Sequence, residues 1–245
     1  MQPNSTEPGN GETGPLRRDV RHEDIARIVH DFKNPLSTIT LEADMLGHRA
    51  SAGDQDAVKR AADRIARNVE FLDRLVMDLL DLCSFEAGSI DLRTEPTELV
   101  ALLEHVIERV VSTRDLDRVV LAPSPRTTVI LDDLRIERVV ANLIGNAIKY
   151  APAKSRIDVS LETEPSVVRV TVRDTGSTLG ATEIAYIFDA YRRVDRFSDI
   201  EGSGLGLYVS KKIVEAHGGQ IGVTKLFDGG TRFFFELPLD LGMQG

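Results

Sequence analysis

The sequence predicts an α+β chain: a helical hairpin over residues 21–88, then an α/β sandwich over residues 89–245. Three observations predict it. From Ile25 the apolar residues fall in alternating steps of four and three, at Ile25, Val29, Phe32, Leu36, Ile39, Ala43 and Leu46. After a break at Ser51-Ala-Gly-Asp54 the rhythm resumes at Val58, Ala62, Ile65, Val69, Leu72, Val76, Leu79 and Cys83. Beyond Glu86-Ala-Gly88 the texture changes to short alternating strands with helices between them. The seam on the two helices is widened by Ile28, Leu75, Leu80 and Leu82 beyond what one helix pair can bury. The hairpin is therefore expected to dimerise into a four-helix bundle. Packing of the hairpin on its own second domain is the alternative.

Composition narrows the function classes. Thirty Lys and Arg against 39 Asp and Glu leave a net charge of −9, which argues against nucleic acid as a partner. Cys83 is the single cysteine, so no intrachain disulfide can form, and a reducing cytoplasm fits. No apolar run approaches the ~20 residues that cross a bilayer. Residues 1–20 are polar and rich in Gly and Pro, without a signal peptide, and read as a disordered tail.

The elements follow in order. Gly88 is a C-cap candidate for the second helix. Ile90 to Arg93 reads as a short strand, and Pro96 as the start of a helix to about Ser112. Val119–Leu121 and Thr128–Leu131 read as strands around a Pro-rich turn. Leu134 to Tyr150 is helical, with Ile136, Val139, Val140, Leu143, Ile144 and Ala147 on its apolar side. Ile157–Leu161 and Val167–Val172 alternate as strands. A loop-rich stretch, 174–203, holds one short helix near Thr182–Phe188. Leu205–Ala216 is a helix closed by Gly218-Gly219, and Ile221–Lys225 and Thr231–Leu237 form a hairpin about Asp228-Gly-Gly230.

Four segments carry chemistry. Asn142, Asn146 and Lys149 stand at i, i+4 and i+7 and share one helical face. Amide oxygens are hard ligands suited to Mg²⁺, and a lysine can neutralise phosphate. Gly202, Gly204 and Gly206 precede a helix whose N-terminus can hold an anion. The pattern is neither a dinucleotide fingerprint, because Leu207 stands where a third glycine belongs, nor a Walker A loop, because no Gly-Lys-Ser/Thr occurs. Asp174-Thr-Gly176 follows a strand, where a carboxylate can accept from an adenine amino group. His30 points away from the seam, with Asp31 beside it and Asn34 one turn on. Asp31 can hold the Nδ1 proton and leave Nε2 as the nucleophile. Pro35 removes a helical hydrogen bond, and a kink is expected there. Taken singly, these segments also read as an amphipathic helix, a linker, a turn and a solvated histidine.

In this order the segments resemble a sensor histidine kinase of two-component signalling. His30-Asp-Phe-Lys-Asn-Pro-Leu36 resembles the H box, and Asn142–Lys149 with Tyr150-Ala-Pro152 the N box. Asp174-Thr-Gly176 resembles the first part of the G1 box, and Phe188–Asp195 the F box. Gly202–Leu207 resembles the G2 box, and Gly229-Gly-Thr231 the last glycine motif. The resemblance spans about 22–240 and implies a dimerisation and phosphotransfer bundle joined to a Bergerat ATP-binding sandwich. It implies that His30 accepts the γ-phosphoryl group of ATP and that Asp31 orients and deprotonates it. It assigns Mg²⁺ to Asn146, with Asn142 assisting, phosphate to Lys149, and the γ-phosphate to Arg193. Asp174 with Gly176 would read adenine, and Tyr150 would pack near base or ribose. Gly202, Gly204, Leu205, Gly206 and Thr231 would complete the nucleotide site. Asn34 matches the position that helps water attack a partner's phospho-aspartate.

The implied partners are a response regulator receiver domain, a second copy of the chain, and a separate sensory protein if the input does not come from a missing segment. Related ATPases with the same sandwich carry Glu where this chain has Asn142, so free ATP hydrolysis is expected to be slow. Two departures bear on the nucleotide. Thr178 replaces the second glycine of the G1 box, and the stretch from Asp195 to Gly202 is short. A weakly nucleotide-binding scaffold or phosphatase, docking through the bundle, is the competing expectation.

Overall fold

The computed structural model describes residues 22–51, 53–86, 88, 91–176, 178–194, 202–227 and 229–239. The expected tail 1–20, Ile90, the short stretch 195–201 and Asp228 lie outside the described residues.

Two long helices come first, α1 (His22–Ser51) and α2 (Gln55–Glu86). They part at the predicted break. Gly53 takes φ +74°, and Asp54 Oδ1 accepts from Ala57 N at 2.8 Å, which caps α2. The helical assignment of α1 continues through Pro35. Glu42 is 4% exposed within the hairpin and is bonded by Arg49 and, across the helices, by Arg64 at 2.8 Å. Those two guanidinium groups hold its carboxyl below the usual range.

The predicted seam splits in two. Phe32, Ile39, Leu46, Val58, Ile65, Leu72 and Leu79 are half-buried, while Val29, Leu36, Ala43, Ala62, Val69, Val76 and Cys83 are exposed. Every second member of the 4–3 series thus faces solvent. Val29 is 59% exposed and Val69 51%, values foreign to a finished core.

The second part departs from expectation at its start. Residues 91–94 are irregular, and the strand is β1, Glu95–Glu98, antiparallel to β3, Thr128–Leu131. Pro96 belongs to this strand and not to a helix. A two-stranded ribbon has open edges, where a residue without N–H is tolerated. The helix α3 begins three residues later, Leu99–Val110, because Glu98 serves as its N-cap: the carboxylate accepts from Val100 N at 2.9 Å and Ala101 N at 3.0 Å.

The remaining elements lie close to their predicted positions. They are β2 (Val119–Leu121), α4 (Asp133–Tyr150), β4 (Ile157–Thr163), β5 (Val167–Asp174), α5 (Ala181–Tyr186), α6 (Gly206–Ala216), β6 (Gln220–Lys225) and β7 (Thr231–Pro238). Five strands form one sheet in the order β2-β4-β5-β7-β6, antiparallel except for the β2–β4 pair. Inward residues alternate: Ile157, Val159 and Leu161; Val168, Val170 and Val172; Phe233, Phe235 and Leu237. They pack with Leu103 and Val106 of α3, Leu143 and Ile144 of α4, and Ile213 and Val214 of α6 in one cluster. The outward register sets Asp158 opposite Arg173, and Arg169 between Glu162 and Glu236, so charges of opposite sign face across strands.

Among the described residues, hairpin and sandwich meet through apolar and ionic contacts, Phe85 of α2 packing on the sandwich core. Leu75 and Leu82 of α2 form a buried cluster with Tyr191 and Leu205, against which Ile28, Phe32 and Phe71 pack. Beside it, Arg135 Nη1 of α4 lies 3.2 Å from Asp81, and Arg138 bonds both Asp78 and Asp81. Burial pushes the Asp78 carboxyl up, while Arg138 opposes the shift.

Candidate functional site

α4 is fixed at both ends. At its start Asp132 Oδ1 accepts from Arg135 N at 3.1 Å. The Asp132 N–H donates to His217 Nε2 at 3.0 Å, and His217 Nδ1 lies 2.8 Å from the Ile213 carbonyl. A carbonyl only accepts, so Nδ1 carries the hydrogen and Nε2 the lone pair. This neutral imidazole is fully buried, and burial pushes its pKa down. It ties the α4 cap to the end of α6.

At the other end the glycine run folds against the polar face of α4. A Cβ on Gly202 would lie 3.0 Å from Lys149 Nζ and 3.9 Å from the Tyr150 hydroxyl. A Cβ on Gly206 would lie 2.5 Å from Asn142 Oδ1, so any side chain there would require the Asn142 amide to move. Gly204 lies against the backbone of Tyr191 and Arg192. Asn142 Nδ2 donates to Ser210 Oγ at 2.9 Å. Asn146 is half-buried one turn further along α4. Lys149 Nζ is 5.2 Å from the Tyr150 ring centre. Burial pushes the Tyr150 phenol up, and the charge of Arg193 pulls it the other way, which marks Arg193 as a neighbour.

Asp174 and Thr231 are both buried and pair directly across β5 and β7. Gly230 packs on the Asp174 carbonyl, and its N–H lies 3.5 Å from the Thr178 hydroxyl. Gly176, with φ +132°, lies against Pro152, where a Cβ would be 2.6 Å from the ring. The close approach that requires this glycine is to the residue after Tyr150-Ala151, an internal contact the sequence reading did not foresee. Leu205 also differs from expectation. Its side chain is fully buried against Leu75, Leu82 and Tyr191, its N–H donates to Ser203 Oγ at 3.2 Å, and its carbonyl accepts from Val209 N at 2.8 Å.

His30 lies on the hairpin, with a side chain 69% exposed. Nδ1 is 3.4 Å from Asp31 Oδ1, and Nε2 is 3.4 Å from Asn34 Nδ2. Both distances are long for hydrogen bonds. Sequence reasoning missed three groups: Ser210, the Asp132–His217 pair, and the Asp78, Asp81, Arg135 and Arg138 cluster. Ser210 carried one legible signal, a hydroxyl in an otherwise apolar stripe of Val209, Ile213 and Val214.

Among the described residues no group of three or more His, Cys, Asp or Glu could hold a metal. A cation here would need amide oxygens and ligand phosphates, and Asn142 and Asn146 on one face of α4 suit a hard divalent ion. Among the described residues no helix is long and apolar enough to cross a membrane.

Residues 21–88 match the His Kinase A (phospho-acceptor) domain, and residues 131–241 the histidine kinase-, DNA gyrase B- and HSP90-like ATPase family. The chain belongs to the sensor histidine kinases. Histidine kinases of known name align over nearly all of it. The adaptive-response sensory kinase SasA of Synechococcus sp. (strain JA-3-3Ab) is 32% identical over 235 residues, 93% of this chain and 62% of SasA. The sensor protein KdpD of Escherichia coli (strain K12) is 31% identical over 223 residues, 91% of this chain and 25% of KdpD. The chain thus spans less than two thirds of either relative. Among solved structures, full-length ShkA in complex with AMPPNP matches at 25% identity and TM-score 0.63, over 90% of this chain and 46% of ShkA. ThkA in complex with the response regulator protein TrrA shares the fold at 22% identity and TM-score 0.63, over 90% of this chain and 62% of that one.

Proposed function

We propose that this chain autophosphorylates His30 from ATP and passes the phosphoryl group to an aspartate of a response regulator. The observation that carries the reading is the fold of the glycine run onto α4, which sets Gly202 and Gly206 against Lys149 and Asn142 at one helix N-terminus. Such a junction offers backbone N–H groups, a cation and amide oxygens to a polyphosphate. Capture of AMPPNP by ShkA supports a nucleotide here, and the ThkA–TrrA complex supports a receiver domain as partner.

In this reading Asp174, with Gly176 and Thr231 nearby, receives adenine, and Tyr150 packs by base or ribose. Lys149 and Arg193 neutralise phosphate, and the run Gly202, Gly204, Leu205 and Gly206 closes over it. Asn146 and Asn142 hold Mg²⁺, which when bound neutralises charge on the transferring group. Asp31 holds the Nδ1 proton, so the Nε2 lone pair forms the new bond to the γ-phosphorus as the bond to the β–γ bridging oxygen breaks and ADP leaves, and Asp31 then takes the Nδ1 proton from the phosphorylated ring. Nε2 must first part from the Asn34 amide, 3.4 Å away. Asn34 then serves the reverse task, orienting water toward a regulator's phospho-aspartate. Residues 21–88 act as phosphotransfer domain and 89–245 as catalytic domain, in a homodimer. A separate protein or an adjoining segment supplies the input.

Incubation with γ-labelled ATP and Mg²⁺ tests the proposal. Label that is acid-labile and base-stable, and absent from His30→Gln, is the expected result. ATP binding without label would return the chain to the scaffold reading. Asn142 cannot take a proton from water, so His30→Ala should release little phosphate; brisk release would contradict the assignment. Unchanged dephosphorylation of a regulator by Asn34→Ala would remove the phosphatase role.

A further inference from the structure

Ser210 is 2% exposed inside α6 and touches no position assigned above except Asn142 and Gly206. Its hydroxyl has a single hydrogen, and the Gly206 carbonyl lies 2.8 Å away as acceptor. A carbonyl can only accept, so that hydrogen is committed. Toward Asn142, 2.9 Å distant, Ser210 therefore offers only lone pairs. Asn142 must present its NH₂ group there, which leaves its carbonyl oxygen against Gly206, one turn before Ser210 on the same helix. That oxygen lies at Gly206, 2.5 Å from where a Cβ would stand, beside the first turn of α6. The positive end of a helix favours an acceptor at that spot.

We infer that Ser210 is a positioning residue that fixes the amide of Asn142 with its oxygen toward the cation and its NH₂ away from it. The relay runs from the Asn142 amide to the Ser210 oxygen and from the Ser210 hydrogen to Gly206 O. A rotated amide would set two hydrogens at the α6 N-terminus, where a divalent cation is repelled. It would also face its oxygen toward a hydroxyl with no hydrogen to spare. The same geometry explains Gly206: any side chain there would displace the oriented amide. The inference rests on the nucleotide and Mg²⁺ assignment of the proposed function, and it adds a residue to which that assignment gives no part.

The test is the gain in affinity for a fluorescent, non-hydrolysable ATP analogue when EDTA is replaced by saturating Mg²⁺. Ser210→Ala should melt with the parent yet lose about fivefold of that gain, the weight of one net hydrogen bond. Its affinity in EDTA should not change. Ser210→Thr, which keeps the hydroxyl, should restore the gain. In an Asn142→Ala background, Ser210→Ala should have no further effect, because the path through the amide is already gone. A full Mg²⁺ gain in Ser210→Ala, or losses that add in the double variant, would overturn the positioning role while the function stands. A parent protein whose nucleotide binding ignores Mg²⁺ would overturn the function and this inference together.

Discussion

The hairpin and the sandwich solve the burial problem in opposite ways. In the sandwich, Leu143, Ile144, Val170, Ile213 and Phe235 are fully buried, and three helices close one face of the sheet. In the hairpin, half of a regular heptad seam is left in solvent, with Val29, Leu36, Val69 and Val76 at 42–59% exposure. Both regions come from periodic apolar sequence, so periodicity alone does not finish a core. What differs is the number of layers that one chain supplies. The sandwich carries its own second layer, whereas the hairpin leaves half of its seam uncovered, the half that the proposed dimer would close. In the proposed reading the acceptor histidine therefore lies in the part with the uncovered seam, and the nucleotide residues in the part whose core is closed.

The comparison can be broken first at the open seam. Val69→Asp combined with Leu36→Asp should abolish the dimer, read as a halved mass in sedimentation, while the thermal transition of the sandwich persists. A dimer that survives would show that the exposed half-seam is not the interface. In the converse experiment, Ile144→Ala should cost the sandwich about 2–5 kcal/mol of stability, with the helical signal of the hairpin retained. Simultaneous loss of both would deny the separation.

The ionic contact between the two regions sharpens the comparison further. Arg138→Gln leaves Asp78 and Asp81 without their shared partner and should weaken docking of sandwich on hairpin by about 2 kcal/mol, as for charged hydrogen bonds. Faster proteolysis near residues 87–94, with unchanged melting of the sandwich core, is the expected readout.

The smallest effect is a pH dependence confined to the sandwich. The folded pKa of His217 lies below its ordinary value of 6.5 because the ring is buried. Below that ordinary value the unfolded chain takes up a proton that the fold refuses, so stability is full above it and falls as pH drops through about 6.5 toward the folded pKa. One proton limits the slope to about 1.4 kcal/mol per pH unit. His217→Gln, which keeps an acceptor for Asp132 N but cannot titrate, should flatten the profile below pH 6.5. An unchanged profile would assign the dependence to another group.

Much of the architecture was legible because local signals agreed with the fold. The 4–3 spacing marked α1 and α2, the Gly53-Asp54 pair marked the break, and alternation marked β4, β5 and β7. The start of the sandwich was misread because Pro96 suits both the first turn of a helix and an open strand edge. Pairing with Ile130 and the cap at Glu98 decide it, and neither is a local property. At the site, Asn142, Lys149, Gly202 and Gly206 were legible from spacing, and the structure brings them together. The packing reasons were not. Gly176 answers to Pro152, and Leu205 answers to Leu75 and Leu82, residues distant in sequence. Ser210 escaped notice because its one signal, a hydroxyl in an apolar stripe, gains a role only from its two partners, Asn142 and Gly206.

The most direct test of the central claim is to map the phosphoryl group by mass spectrometry at neutral pH after the intact protein has met ATP and Mg²⁺. The account predicts modification on the α1 segment at His30, lost on brief acid treatment and missing when Asn146 is replaced by Ala. Phosphate on a serine, threonine or aspartate instead, or on His30 in the Asn146→Ala protein at the parent's rate, would contradict it.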